Sequence, residues 1–236
     1  MKIAIIDMGT NTFHLLVVEI EKQKFEILFQ ERIGVKIGVG GINKGIITEQ
    51  AMDRAIEALK RIKLKLTEIN VANTLAFGTS ALRNAKNGSE VILKIKETTG
   101  IETQIISGDQ EASFIYKGVN LALQLGNEKS LIMDIGGGSV EFIIGNGVEI
   151  FWKQSFEIGA QRLLEEFQNH DPILKIEIDA LNHYFQQRLV SLFEALEFHQ
   201  PPVLAGSSGT FDTLSDIHCV GAAIGSSNSR ETPLTI

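Results

Sequence analysis

The chain has 236 residues and a formal net charge of −7 at pH 7, long enough for one large domain or two small ones and too acidic for general affinity to nucleic acid or anionic membrane. Its one cysteine, Cys219, excludes an internal disulfide framework and fits a reducing compartment. No apolar run approaches the roughly 18 residues of a membrane span, the opening "MKIAIIDMGTN" reads as a first strand and not a signal peptide, and a cytoplasmic protein is expected.

In chain order, "IAII" (3–6) and "FHLLVVEI" (13–20) predict a hairpin of buried strands around the turn "DMGTNT". "FEILFQERIGVKIG" extends it with a third strand, and "VGGINKGIITEQ" is a loop. Thr48 is a candidate N-cap for the helix "EQAMDRAIEALKRIKLKLTEI". A short strand (75–77) and a Gly-Thr-Ser turn follow, then the helix "SEVILKIKETTG", the strand "IETQIISG" and the helix "DQEASFIYKGVNLALQL".

The pattern then restarts. "SLIMDIGGGSVEFIIGNG" follows the template of "IAIIDMGTNTFHLLVVEI", with Asp134 matching Asp7 and Gly136 matching Gly9. A third strand, "EIFWKQSFEIG", leads to the helix "AQRLLEEFQ" and to one longer helix, "EIDALNHYFQQRLVSLFEAL". "PPVLAGSSGTFDTLSDI" is a strand, a glycine turn and the start of a helix. Two tandem α/β domains are expected, 1–125 and 126–236, with a ligand cleft between them. The tail "HCVGAAIGSSNSRETPLTI" lacks a clear strand or amphipathic helix, so the second domain is expected to be incomplete or atypical at its C-terminal end.

An acidic chain that binds a polyanion needs a local device. Turns rich in Gly, Thr, Ser and Asn expose convergent backbone N–H groups that hold anions. Three fit: Gly9, Thr10, Asn11 and Thr12; Gly136, Gly137, Gly138 and Ser139; and the 206–210 turn with Gly206, Gly209 and Thr210, which also precedes a helix. Ordinary hairpin chemistry explains one such turn, but three in a duplicated unit point to phosphate. Asp7 and Asp134 at the strand ends read either as Asx-turns or as ligands of a divalent cation, with Glu141 near Asp134.

These segments resemble the actin-like ATPase superfamily, which has the ribonuclease H-like fold, and within it the exopolyphosphatase / guanosine pentaphosphate phosphohydrolase family. "IDMGTNTFHLLV" and "DIGGGSVE" are similar to that family's two phosphate loops. "FGTSALRNAKNG", "ISGDQEASFIYKGV" and "AGSSGTFDTL" resemble its other segments, in the family's order. Thr12 and Val140 stand where serine and threonine are commoner.

The resemblance implies two actin-like domains and a Mg²⁺-dependent phosphohydrolase acting on inorganic polyphosphate, guanosine pentaphosphate or both. Glu111 takes the base role, Glu141 is a catalytic as well as a metal-site candidate, and Asp134 and Asp7 are metal-site candidates. Glu111 also reads as a dipole-favoured acid in a first helical turn. Arg83 is a candidate for stabilising transferring charge, or a structural salt-bridge partner. Lys86 and Asn87 are weaker candidates for the same rim of the substrate site, and Arg32 and Lys36 for the distal part of the phosphate chain. Competing readings are an actin-fold ATPase or kinase and a non-catalytic polyphosphate- or nucleotide-binding regulator. A homodimer is expected, with no nucleic-acid or membrane partner.

Overall fold

The computed structural model describes residues 1–22 and 24–221, with side chains to residue 219. β1 (Lys2–Met8), β2 (Thr12–Glu21) and β3 (Lys24–Gly34) form an antiparallel meander, and β4 (Asn73–Gly78) and β5 (Thr103–Ile105) add to it in parallel, giving the order β3-β2-β1-β4-β5. Ala4, Ile6 and Met8 alternate inward along β1, as a two-residue period requires. They meet the apolar stripe of α1 (Glu49–Glu68), whose Ala55, Leu59 and Ile62 recur at helical spacing, and Val91 and Ile95 of α3 (Gly88–Thr99). Thr48 caps α1 as expected, its Oγ1 accepting from the Ala51 N–H at 3.2 Å. The Gly-Thr-Ser turn continues into a short helix, α2 (Ser80–Asn84), too brief for periodicity to reveal.

The second sheet repeats the first. β6 (Ser130–Ile135), β7 (Val140–Gly145) and β8 (Ile150–Phe156) form the meander, and β9 (Val203–Ser207) pairs in parallel with β6, in the order β8-β7-β6-β9. Register makes the duplication explicit. Asp7 lies opposite His14 across β1 and β2, and Asp134 lies opposite Glu141 across β6 and β7. Ala112 and Tyr116 of α4 (Gly108–Leu123) pack with Ile132, Ile143 and Ala205 to form this sheet's core.

Packing divides the chain into two compact units: Met1–Ser107 with Ala160–Asp171, and Gly108–Gly159 with Pro172 onward. The expected division near Gly126 follows the sequence repeat; the packing division falls earlier, because α4 seats on the second sheet. α5 (Ala160–Phe167), which follows β8 in sequence, belongs to the first unit. There Asn43 Nδ2 donates to the Arg162 carbonyl at 3.0 Å, and the Gly40 N–H donates to Glu165 Oε1 at 2.9 Å.

One helix prediction is corrected. The run expected as a single helix is two, α6 (Lys175–Arg188) and α7 (Val190–His199), parted at Leu189. Leu189 leaves helical geometry at φ −104°, ψ 18°, caps both helices and is itself buried. α8 (Gly209–Gly221) takes in the start of the tail, including His218 and Cys219. The expected lack of regular elements beyond it concerns residues 222–236, which lie outside the described residues. No helix among the described residues is long and apolar enough to cross a membrane.

Candidate active site

In the second unit, β6 and β7 are joined by the triple-glycine turn, closed by the Gly136 N–H donating to the Ser139 carbonyl at 3.0 Å. A Cβ on Gly136 would sit 3.0 Å from that same oxygen, and a Cβ on Gly9 would sit 2.9 Å from the Thr12 oxygen. Both turns therefore share one tight conformation that disfavours a side chain at the matched position.

Directly opposite residues on antiparallel strands present side chains to one face, so the paired Asp134 and Glu141 carboxyls share a face beside the turn. Glu141 is 2% exposed. Burial first, and then the charges of Glu111 and Asp134, push its carboxyl up to about 8, against hydrogen bonds from Ser155 and Ser139. Ser155 Oγ donates to Glu141 Oε1 at 2.6 Å. Asp134 is raised by burial too, and hydrogen bonding with Ser207 and Ser208 pulls the other way. Glu111, in the first turn of α4, is thus close enough to Glu141 to act on it electrostatically.

The 206–210 turn docks beside this group. Ser208 Oγ and Thr210 Oγ1 lie 3.1 and 3.2 Å from the Ile135 carbonyl oxygen, to which they donate. Ser208 takes a left-handed φ of 73°, which costs a non-glycine residue on the order of 1 kcal/mol or more. The need for glycine at 206 is met by packing, since a Cβ there would overlap the Phe211 ring. Gly209, at the head of α8, has open space where a Cβ would stand.

The first unit carries the other turn. Thr10 is 3% exposed, and its Oγ1 and the Asn11 Oδ1 are buried without a hydrogen-bond partner. Such orphans are rare in native proteins and call for a ligand or water. The Asn11 carbonyl accepts the Val35 and Lys36 N–H groups at 2.9 and 2.8 Å, placing Lys36 beside the turn. Arg54 of α1 braces that segment, donating to the Val35 carbonyl at 2.8 Å and to the Lys36 carbonyl at 2.7 Å. Asp7 stands at the end of β1 opposite His14, where the second unit has a carboxylate. Burial and then the Arg32 charge lower the His14 pKa, favouring a neutral ring.

Arg83, in the last turn of α2, donates from Nη1 to the Ile106 carbonyl at 3.2 Å. Asn87 holds both the N–H and the carbonyl of Ile47 through its amide. That contact ties the loop ahead of α1 and accounts for the residue structurally.

Sequence reasoning missed Ser155, Lys153 and Gly159. Gly159 had a signal only in retrospect: it ends the third-strand segment of the second repeat. Its N–H donates to the Gly138 carbonyl at 3.2 Å, and a Cβ would collide with the Gly137 and Gly138 backbone.

Among the described residues no cluster of three or more His, Cys, Asp or Glu side chains has metal-holding geometry. A pair of carboxylates nevertheless fits Mg²⁺, which keeps several waters and takes only one or two protein carboxylates. Two facing carboxyls, both raised by burial and one by its neighbours' charge, form a donor set that a cation would relieve.

Residues 16–228 match the model of the Ppx/GppA phosphatase family. The chain is 45% identical to an exopolyphosphatase from Cytophaga hutchinsonii, whose crystal structure superposes with a TM-score of 0.92 and is matched over 96% of this chain and 73% of that one. A PPX-GPPA enzyme from Aquifex aeolicus is 26% identical, with a TM-score of 0.72 over 92% of this chain and 71% of that one. Another Aquifex aeolicus structure of the Ppx/GppA family, 24% identical with a TM-score of 0.72 over 97% of this chain and 72% of that one, shares the fold. With its duplicated actin-like α/β architecture and the family model matched over most of its length, the chain belongs to the Ppx/GppA phosphatase family.

Proposed function

We propose that the protein hydrolyses the terminal phosphoric anhydride of inorganic polyphosphate, guanosine pentaphosphate or both, with Glu111 as general base. The observation that carries this reading is that Glu111 acts electrostatically on Glu141, which pairs with Asp134 beside the triple-glycine turn. A polyanion site beside a buried carboxyl pair makes sense only with a cation, and Glu111, outside that pair, is the group assigned proton transfer.

The backbone amides of the 136–139 turn hold the terminal phosphoryl oxygens, with glycine allowing close approach. Asp134 and Glu141 would hold Mg²⁺, which when bound neutralises charge on those oxygens. Ser155 and Ser139 fix the Glu141 carboxyl, and Ser207 and Ser208 fix that of Asp134. Glu111 accepts a proton from a water whose oxygen bonds to the terminal phosphorus. The bridging P–O bond breaks, its electron pair leaves with the shortened chain, and orthophosphate is released. In the first unit, the unpartnered Thr10 hydroxyl and the backbone amides of the 9–12 turn, with Lys36 beside them, are the donors offered to phosphate. Arg83, whose Nη1 donates to the Ile106 carbonyl, is the residue assigned to stabilise transferring charge.

The test is phosphate release from long-chain polyphosphate with Mg²⁺, wild type against Glu111→Gln. The variant keeps the shape and removes the proton acceptor, so release should fall by about a hundredfold or more, the usual worth of a positioned base. A Glu111→Gln enzyme with the wild-type rate would remove the base assignment.

A further inference from the structure

We infer that Lys153 is a positioning residue for turnover: its ammonium on β8 fixes the rotation of the first turn of α4 and so aims Glu111. The inference rests on the base role given to Glu111 above. Lys153 and Ser155 are two residues apart on one strand and share a sheet face. Ser155 bonds Glu141 from that face. Lys153 Nζ donates to the Asp109 carbonyl at 2.9 Å and to Ser113 Oγ at 2.6 Å, with the Asp109 carboxylate 3.5 Å away. Ser113 Oγ in turn donates to the Asp109 carbonyl at 2.8 Å, closing a triangle of polar contacts on the first turn.

The geometry of the helix gives this clamp its effect. Asp109 and Ser113, four apart, stack on one side of α4, while Glu111 projects roughly 200° round the axis from Asp109. Gripping one side of the turn sets the direction of the other side, which carries Glu111. A cation at a helix N-terminus opposes the helix dipole, so Lys153 holds this place through its specific partners, not through the general field. The later turns of α4 are tied separately. Tyr116 Oη donates to the Asn146 carbonyl at 2.7 Å, and Asn120 Nδ2 donates to the Gly147 carbonyl at 3.1 Å. Loss of Lys153 therefore removes this tie from the first turn while the later turns stay docked.

The experiment is steady-state phosphate release from polyphosphate by the full chain carrying Lys153→Met, Lys153→Arg or Ser113→Ala, each singly and with Glu111→Gln. Lys153→Met keeps the apolar stem, and its kcat should fall about tenfold or more with KM within about twofold, since a misplaced base slows the chemical step without weakening binding. Lys153→Arg, able to reach both acceptors, should recover most of the rate, and Ser113→Ala should lose about two- to threefold. In the Glu111→Gln background Lys153→Met should cost nothing further, because the group being aimed is gone. A wild-type kcat in Lys153→Met, or an equal loss in both backgrounds, overturns the positioning role while leaving the base role standing. A wild-type rate in Glu111→Gln overturns the base role itself. Should Lys153→Met fail to fold, Ser113→Ala against Ser113→Ala with Glu111→Gln decides by the same non-additivity.

Discussion

Glu141 is a buried carboxyl with acidic neighbours and two serine hydroxyls. Folded, it holds its proton up to about 8, against an ordinary value of 4.5. Between those values the folded state binds more protons than the unfolded one, so stability falls as pH rises through the window, and the full cost is present above about pH 8. Glu141→Gln removes that cost: its melting temperature should exceed the wild type's by several degrees at about pH 9 and match it at about pH 5 without divalent ion. Thermal melts across the range check this, and equal melting temperatures at both ends would contradict it. Gly159 is decided at the same scale by space alone. Gly159→Ala drives a methyl into the Gly137–Gly138 backbone, so the turn must shift. Stability should drop by about 1–3 kcal/mol, and phosphate release should fall more steeply than the melting temperature implies, which melts and rates on one preparation would show.

At the scale of elements, each turn proposed to hold phosphate is held by a neighbour that is not part of it. The 9–12 turn leans on residues 35–36, and these lean on Arg54 of α1. Arg54→Ala leaves the Val35 and Lys36 carbonyls without their charged donor, and the segment that fixes Asn11 loosens. The expected outcome is a rise in KM of up to about tenfold with kcat nearly unchanged, the worth of one charge-assisted hydrogen bond. A fall in kcat alone would place Arg54 elsewhere in the cycle. The 136–139 turn leans on Gly159 and on the 206–210 turn through the Ile135 carbonyl. The turns of each unit thus come pre-formed by packing, the condition for holding phosphate without reorganisation.

For the whole molecule, a net charge of −7 repels a polyphosphate chain, and a placed cation is the proposed answer. Chelating divalent ions should abolish phosphate release, and excess Mg²⁺ should restore it. Potassium chloride at about 0.5 M should not restore it, because monovalent salt screens exposed charge but not a buried carboxylate pair. Recovery with salt alone would mean that diffuse repulsion is the obstacle and that no placed metal is needed.

What the residues determined unaided was everything local in origin. The repeat of Asp, any residue, Gly between apolar runs predicted both hairpins and their sharp turns. The Thr48 cap and the apolar spacing of α1 marked that helix, because strand alternation, helical period and turn glycines are short-range effects. Tertiary structure alone decided the rest. Ser155 and Glu141 are fourteen residues apart and Lys153 and Asp109 forty-four; Gly159 meets Gly138 across the turn; the break at Leu189 and the seating of α4 on the second sheet carry no local signature. Burial and the charge of Glu111, which together raise Glu141, depend on distances through a folded interior, and a one-residue slip of β7 against β6 would turn Glu141 to the opposite face and erase the pairing.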